Sequence, residues 1–504
     1  MSAILAIPHV VVELEGAQLP DNALRTLTRV LVQQRLSVPT LCELTFEDST
    51  GAIAQACTPG SSLLVRLEGN TEPLFSGEIT AVEYVYGPTH EREIRVRSYD
   101  SLHRLRKRQP VRAHVQVGLL DLCSEIAADL GLSVESMDDG PIWQHVIQHR
   151  QSDLDLLVEL AEQCGLYLTV RGAILHLVTL SGLGTPVPLD LGDSLLEARL
   201  EVNADPACRS VLANGWDASR AERHRATATE TRLGREVTAE APPDSVGGSG
   251  QLNLVDQTAF TERHAAGLAQ SELDWHTARE VSFWGVAQGD PRLQPARPVE
   301  IRGVAAPLAG RYVITSATHT MGRENGFTSE ISTSPPARRV RRSAAVVALG
   351  AVSRIDDPDG LGRVRVSLPT YEDVETDWMC VLLPAAGKGK GFVSLPDVGD
   401  QVLVLFAHED PSQGVVLGGL YGVQKPPDTG IENGAVARYT LLTPGGQQAQ
   451  LDDTRKAVHL ANSDGSFVDI SPEKIVVHAK TDLFLEAPGR LVVIQGDKID
   501  FRRA

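Results

Sequence analysis

Two short stretches carry residue types that could bind an anion or a cation, and both lack the rest of the motif. The run GKGKG at residues 387–391 has the composition of a phosphate-binding loop. A Walker loop needs GxxxxGK followed by Ser or Thr, and each lysine here is followed by glycine. Residues 356–360 (DDPDG) are as acidic as a calcium loop, but two ligand positions hold Ile355 and Val366. We therefore expect turns at both places.

Signatures of a catalytic or metal site are missing elsewhere in the sequence. There is no HExxH and no GxSxG, and the 14 histidines show no paired spacing backed by a carboxylate. A carboxylate pair for glycoside hydrolysis stays open, because 65 acidic residues allow many pairs. The scattered cysteines favour buried free thiols in a reducing compartment. These are Cys42, Cys57, Cys123, Cys164, Cys208 and Cys380. The sequence predicts no catalytic residues, no cofactor and no metal.

The size and charge of the chain limit its location and partners. It has 504 residues, enough for three or four domains, and a formal net charge of −18. That charge disfavours nucleic acid and anionic membranes as partners. No apolar run approaches the length of a membrane span, and the N-terminus lacks the pattern of a secretory signal. We expect cytoplasmic assembly and no stable membrane insertion.

Most of the chain reads as short strands, so we expect a mainly β protein with a few helices. Helical spacing appears at residues 119–130, 152–164 and 261–274. Residues 244–250 (DSVGGSG) read as a flexible loop. The arginines of residues 335–343 favour a solvated hinge over a nucleic-acid contact. The predicted domains are a first β-barrel (1–105), an α/β segment (106–190), a second β-barrel (191–335), an Arg-rich linker (336–343), an OB-type barrel (344–430) and a C-terminal shaft (431–504).

A period of eight residues marks the last part of the chain. One apolar set is Ile475, Leu483, Leu491 and Ile499, and a second set two positions later is Val477, Leu485, Val493 and Phe501. The pairs Val458/Leu460 and Val468/Ile470 look like earlier copies of the same unit. A fixed period indicates stacked rungs, and a single ribbon buries too few side chains to be stable alone. We therefore predict a shaft of three intertwined chains, with a meander of β-hairpins in one chain as the alternative.

The OB-type region resembles the spike OB domain of VgrG-type proteins, the tips of type VI secretion systems, contractile phage tails and extracellular injection particles. The matching strings are GRVRVSLP (362–369), DWMCVLLPAAGKGKG (377–391), PDVGDQVLVLF (396–406), DPSQGVVLGGLY (410–421) and KPP (425–427). The string TPGGQQAQLDD (443–453) resembles the triple-stranded β-helix of the same spikes.

The N-terminal two-thirds is similar to the phage late control protein D and T-even baseplate hub family. The matching strings are FSGEITAVEY (75–84), SYDSLHRL (98–105) and HRQSDLDLLVELAEQCGLYLTV (149–170). Both resemblances imply hub β-barrels, an OB-fold barrel and a C-terminal triple-stranded β-helix formed by a homotrimer. Such a protein joins a hexameric tail tube to a three-fold spike that penetrates the target envelope.

The resemblance also implies partners: a tail tube protein at the hub end, a PAAR-like tip protein at the shaft end near Phe501, and baseplate proteins. We expect no enzyme activity. Only residues 428–437 separate the OB barrel from the shaft, where the phage needle has a lysozyme domain, and we expect no effector after residue 500. A phage-tail-like or extracellular particle is favoured. The alternatives are a type VI tip, a spike-linked cell-wall hydrolase and a trimeric tail adhesin.

Overall fold

The computed structural model describes residues 9–47, 51–70, 72–88, 92–217, 219–220, 222–323, 326–339, 344–422 and 424–502. Strands account for 43% of the structure and helices for 14%, which confirms the mainly β class. The chain forms two compact units, Met1–Leu420 and Tyr421–Ala504. Within the described ranges, no helix is both long enough and apolar enough to span a membrane.

The first barrel has seven strands. They are β1 (Val10–Leu14), β2 (Ala17–Gln18), β3 (Leu27–Arg35), β4 (Val38–Glu47), β5 (Ser62–Leu67), β6 (Phe75–Tyr86) and β7 (Arg92–Tyr99), with helices α1 (Asp21–Leu24) and α2 (Ala52–Ala56) and a 3-10 helix at Ser101–Lys107. Alternate residues point inward, as Ile94 and Val96 of β7 show by their burial. The predicted strand residues before His9 lie outside the described residues.

The α/β segment places two amphipathic helices against short strands. Its elements are β8 (Arg112–Gly118), α3 (Leu119–Ala128), β9 (Ser133–Ser136), β10 (Ile142–Gln148), α4 (Asp153–Gln163), β11 (Tyr167–Arg171) and β12 (Ile174–Val178). Helix α4 begins with a capping box, in which Ser152 and Asp155 each accept a hydrogen bond from the other's backbone N–H. Leu119, Leu122 and Leu157 are fully buried in one core. Both predicted helices are confirmed.

The second barrel follows, with its own helix. Its elements are β13 (Val187–Asp190), β14 (Leu195–Val202), β15 (Ser210–Asp217), β16 (Glu222–Ala228), β17 (Gln251–Thr258), α5 (Glu262–Ala278), β18 (Val281–Gln288), β19 (Pro298–Arg302), β20 (Gly310–Val313), β21 (Ser316–Gly322) and β22 (Gly326–Ser332), with 3-10 helices at Pro243–Val246 and Ala306–Leu308. The predicted loop at 244–250 starts inside a 3-10 helix. The end of this loop is fixed because the Gly250 carbonyl accepts a hydrogen bond from the backbone N–H of Arg209, with an N···O distance of 2.7 Å.

Both barrels share one continuous sheet of eleven strands. Strand β21 of the second barrel pairs antiparallel with β3 of the first, with Met321 opposite Val30 and His319 opposite Val32. We call this pairing the barrel seam. It fixes the two barrels to each other by backbone hydrogen bonds as well as by side-chain packing.

The OB-type barrel is a six-stranded sheet. Its strands are β23 (Val346–Arg354), β24 (Arg365–Leu368), β25 (Val374–Glu375), β26 (Cys380–Val381), β27 (Gln401–Phe406) and β28 (Gly414–Gly419), with 3-10 helices at Pro369–Tyr371 and Ala407–Glu409. Val364, Val404 and Phe406 are fully buried at its centre. Val111 of the α/β segment packs against the same core, so this barrel and the hub share an apolar contact.

The described part of the Arg-rich linker is bound to the hub, so the predicted solvated hinge is wrong there. Arg338 bonds to Glu272 at 2.5 Å and to the Ser271 carbonyl at 2.6 Å, and its guanidinium lies 5.4 Å from the Trp275 ring centroid. Arg339 pairs with Asp155 at 2.9 Å. The guanidinium groups of these two arginines are thus paired with acidic side chains on α4 and α5. Residues 340–343 lie outside the described residues.

The C-terminal unit is an antiparallel meander. Its strands are β29 (Ile431–Glu432), β30 (Ala435–Val436), β31 (Arg438–Leu442), β32 (Gln448–Asp452), β33 (Ala457–Ala461), β34 (Phe467–Ile470) and β35 (Ile475–His478). The first two form a small hairpin, and β31 to β35 form one sheet in chain order. Residues with positive φ close the hairpins between β31 and β34, among them Gly446, Lys456 and Gly465.

We expect Glu78→Gln to destabilise the first barrel in a pH-dependent way. Glu78 accepts hydrogen bonds from Arg104 Nε at 3.0 Å and from the buried His103 ring. The Arg104 hydrogen bonds lower the pKa of Glu78 to about 2, below its unfolded value. As pH falls, Glu78 therefore becomes protonated at a higher pH in the unfolded protein than in the folded protein. The stabilisation that is present at neutral pH is lost as pH falls from about 4.5 to about 2.

Urea denaturation at a series of pH values measures this effect. The variant should be less stable than the wild type by about 2 kcal/mol at pH 7, and the difference should shrink below about pH 4.5. Arg199→Gln is the control, because its pair with Glu197 is exposed and weak. A difference independent of pH would contradict the assigned role of Glu78.

Candidate functional site

The most unusual surface in the structure is one face of the C-terminal meander. Residues paired directly across antiparallel strands lie on the same face, as do residues two apart along a strand. On one face all ten positions are apolar. They are Tyr439 and Leu441, Ala449 and Leu451, Val458 and Leu460, Val468 and Ile470, and Ile475 and Val477. We call this set the apolar face.

The apolar face is uncovered in a single chain. Ile475 is 69% exposed, Val477 57% and Leu460 48%. In the described part of the C-terminal unit, Ala457 is the one apolar residue that is buried. A sheet with no core is not stable in water, because its strand hydrogen bonds do not offset the loss of chain entropy. We therefore expect another surface to cover this face.

The opposite face of the meander is suited to solvent. Its central row runs through Thr440, Gln450, His459, Asp469 and Val476. Gln450 Nε2 donates to Thr440 Oγ1 at 3.2 Å, and His459 Nδ1 lies 3.4 Å from Asp469 Oδ1. Such polar cross-strand pairs keep the outer face hydrated. The apolar face is thus wholly apolar, whereas the opposite face combines this polar row with Leu442, Ala457, Ala461 and Phe467 at its sides.

The octads after β35 remain unpaired. The described chain from residue 479 to residue 502 makes no strand pairing, and Leu491 and Phe501 are 82% and 86% exposed. Residues 487–489 form a turn, because Arg490 N donates a hydrogen bond to the Ala487 carbonyl at 2.9 Å and Gly489 has φ +68°. Among the described residues, the octads after β35 therefore form a ribbon without strand pairing, and Leu491 and Phe501 on it are exposed.

The two parts of the repeat differ, which corrects one prediction. The pairs Val458/Leu460 and Val468/Ile470 and the first octad pair, Ile475/Val477, lie on neighbouring antiparallel strands of one chain, and only the octads after β35 lack such pairing. The single-chain meander, weighed above as the alternative, describes this upstream part. Its left-handed loop residues allow the strand to reverse inside one chain.

The GKGKG run forms a hairpin tip. Gly387 and Lys390 exchange backbone hydrogen bonds of 3.1 Å in both directions, and Gly389 takes φ +70°. The backbone N–H groups of Gly387 and Lys390 are thereby used inside the turn. A phosphate cradle needs such groups pointing at the ligand. The turn that was predicted for this run is confirmed.

The acidic DDPDG stretch is a turn held by a buried arginine. Arg363 binds Asp357 through Nε at 3.0 Å and Nη2 at 2.7 Å, and these side chains are 4% and 2% exposed. Asp357 also accepts from the backbone N–H groups of Asp359 and Leu361. The hydrogen bonds from Arg363 lower the pKa of Asp357 far below its ordinary value. The oxygens that a calcium ion would need are occupied by the guanidinium.

The cysteine side chains lie mostly in buried positions. All six cysteines are free thiols, and five are buried. Burial raises the pKa of Cys123 and that of Cys164 to about 12, so both thiols are poor nucleophiles at neutral pH. Among the described residues, no group of three or more His, Cys, Asp or Glu side chains is placed to hold a metal ion.

Sequence reasoning missed the first four members of the apolar face. Tyr439, Leu441, Ala449 and Leu451 precede the pairs found by the period of eight. Their i, i+2 apolar spacing was visible, but the loop between β31 and β32 changes the period. Searching for i, i+2 apolar pairs flanked by polar residues, without a fixed period, would have found them.

Two family models match parts of the chain. The family model of the type VI secretion system/phage-baseplate injector OB domain matches residues 348–421. The model described as the Alg8 N-terminal domain matches residues 10–323, which is more than half of the chain. A comparison with curated proteins found no match.

Solved structures share the fold at low sequence identity. A chain of the Francisella PdpA–VgrG complex aligns with a TM-score of 0.57 and 10% identity, over 95% of this chain and 81% of that chain. The E. coli c3393 protein aligns with a TM-score of 0.52 and 14% identity, over 81% of this chain and 99% of that chain. It is a type VI secretion component similar to the T4 tail proteins gp27 and gp5. The chain therefore belongs to the family of the Alg8 N-terminal domain, its residues 348–421 match the type VI secretion system/phage-baseplate injector OB domain, and it shares its fold with solved type VI secretion proteins.

Proposed function

We propose that three copies of this chain form the hub and spike of a contractile injection apparatus. The hub would join the hexameric tail tube to a three-fold spike, which is driven through the target envelope when the sheath contracts. The observation that carries this proposal is the apolar face. Ten apolar side chains lie on one side of a sheet that has no core in a single chain.

Three copies provide a simple cover for that face. If each meander turns its apolar face inward, three sheets enclose a triangular core and leave the polar faces outside. Each large aliphatic side chain that becomes buried contributes about 1.5–3 kcal/mol of gross stabilisation. Many such contacts would make the shaft rigid, and rigidity is what a puncturing device requires.

The octads support the same arrangement for the last residues. Their apolar pairs are exposed and their backbone makes no strand pairing in the described chain. Strands from two further copies would supply both the hydrogen bonds and the apolar contacts. The final rung near Phe501 would still leave an apolar end. We propose that a PAAR-like tip protein covers it, and that baseplate proteins surround the hub.

The role we propose is mechanical and not enzymatic. The two stretches with ligand-binding composition are a hairpin tip and a turn held by Arg363. We propose assembly in the cytoplasm, followed by incorporation into a phage-tail-like or extracellular particle. A type VI tip is the alternative machine for the same hub and spike role.

Light scattering of the purified full-length chain tests the proposal. We expect a mass three times the 54.3 kDa of one chain. The mass should not change with dilution into the nanomolar range, because intertwined chains separate only when the shaft unfolds. A stable monomer with a folded hub would contradict the proposed spike.

A further inference from the structure

A cleft of about 470 Å³ opens at one end of the barrel seam. It lies beside α1, the first residues of β3 and the last residues of β21. We propose that this cleft is a docking socket for an acidic segment with an apolar anchor, carried by the protein that stacks on this end of the hub. The inference rests on the proposed function, in which that protein is the tail tube.

The floor of the socket is apolar. Leu24 and Leu27 are partly buried and line the cleft, together with Val30 and Met321 of the seam pair. Val30 and Met321 belong to the core of the first barrel, so the floor is held rigid by packing below it. A preformed apolar floor of this size fits one or two aliphatic or aromatic side chains of a partner.

The rim of the socket is basic. Arg25, Arg29 and Arg323 line the cleft and are exposed. Arg323 Nη2 donates to the Arg25 carbonyl at 2.8 Å, which holds its side chain at the rim. In the described part of the chain, none of these three arginines forms an ion pair with a carboxylate, although Asp21 lies on the same rim. Their guanidinium groups are therefore available to bind carboxylates of a partner.

The socket lies at the end of the seam opposite to the end that contacts the α/β segment. Strand β3 runs from Leu27 at the cleft to Arg35, a distance of about 27 Å for its nine residues. Beyond that end, Ser37 N donates to the Leu168 carbonyl at 2.7 Å, so the β3–β4 hairpin rests on the α/β segment. That segment contacts the OB core through Val111. The cleft thus opens at the end of the hub that these contacts leave free.

Charge selects the class of partner. The chain carries a net charge of −18, so a cluster of three arginines that form no ion pair within the described ranges is a local exception at this apolar cleft. Such a cluster attracts a segment with carboxylates on either side of an apolar residue and repels basic segments. The same groups could contact a nucleic-acid backbone. We favour a protein because the apolar floor offers nothing to a phosphate chain.

The test uses the full-length trimer and the tube protein encoded in the same gene cluster. Binding is measured by co-sedimentation and interferometry at several salt concentrations. The variant Arg25→Glu/Arg29→Glu/Arg323→Glu should bind at least about tenfold more weakly, with a smaller salt dependence. Arg302→Glu is the matched control, because Arg302 is an exposed arginine outside the cleft, and it should bind as the wild type does.

The possible outcomes separate this inference from the proposed function. If the triple variant is trimeric and binds the tube protein normally, the socket is wrong and the hub role stands. If the wild-type trimer does not bind the tube protein, the proposed tube partner fails, and the socket fails with it. Equal loss for Arg302→Glu, or wild-type binding to DNA that the triple variant loses, would also overturn the socket.

Discussion

Replacing Val477 with lysine should leave the chain monomeric, whereas replacing the adjacent Val476 with lysine should leave the trimer intact. Both residues lie in β35, but they point to opposite sides of the sheet. Val477 belongs to the apolar face, paired with Val468. In the proposed trimer, the Val477→Lys change would bring three lysine side chains together in the enclosed core.

The expected effect is large because charges are expensive to bury. Each unpaired ammonium group in an apolar core costs several kcal/mol, and the change occurs three times in one assembly. Val476 is opposite Asp469 on the polar face, so a lysine there gains a cross-strand ion pair in solvent. The two variants have the same composition and differ only in the face they occupy.

Light scattering and far-UV circular dichroism measure the outcome. A monomeric Val477→Lys protein with a folded hub, beside a trimeric Val476→Lys protein, would support the inward orientation of the apolar face. If both variants are trimeric, the apolar face is not the trimer interface. If both are monomeric, the strand tolerates no lysine on either face, and the assignment of the faces is wrong.

Replacing Arg363 with alanine should destabilise the OB-type barrel by about 3–5 kcal/mol. Arg363 and Asp357 form a two-point ion pair, and both side chains are almost fully buried. Removing the guanidinium leaves a buried carboxylate with only backbone N–H groups as donors. Arg363→Lys should recover part of the loss, because a lysine keeps the charge but not the planar two-point geometry.

The matched control lies on the neighbouring strand. Arg354→Ala removes an ion pair with Asp356 in which both side chains are at least half exposed. Such surface pairs contribute about 0–1 kcal/mol, so this variant should unfold almost as the wild type does. Denaturant unfolding of the four proteins, compared at neutral pH, measures the difference. Equal stability of the Arg363→Ala and Arg354→Ala proteins would show that Asp357 does not depend on Arg363.

Local patterns predicted much of the fold because their causes lie close together in the chain. The capping pair Ser152 and Asp155 and the stripe that contains Leu157 predicted α4 within two residues. The positive-φ glycine of the turn at residues 487–489 was equally readable. In both cases the interacting groups are a few residues apart, so the sequence alone contains the cause and the effect.

Contacts between distant segments were not readable. The barrel seam joins Val30 to Met321, and the socket at its end combines Arg25, Arg29 and Arg323. No single window of sequence contains both parts. The arginines of the linker looked like a solvated hinge for the same reason, since Glu272 and Asp155 lie far away in the chain.

The sequence by itself determined the element types, the OB-type strings and the apolar period of the C-terminal ribbon, because these depend on spacing along the backbone. Only the tertiary structure decided that residues 438–478 pair within one chain, and that ten apolar residues form one uncovered face of that sheet. Strand pairing depends on which segments meet in space, and a period of eight is compatible with a neighbour from the same chain or from another. In the proposed trimer, the burial that stabilises the ribbon is a property of the assembly.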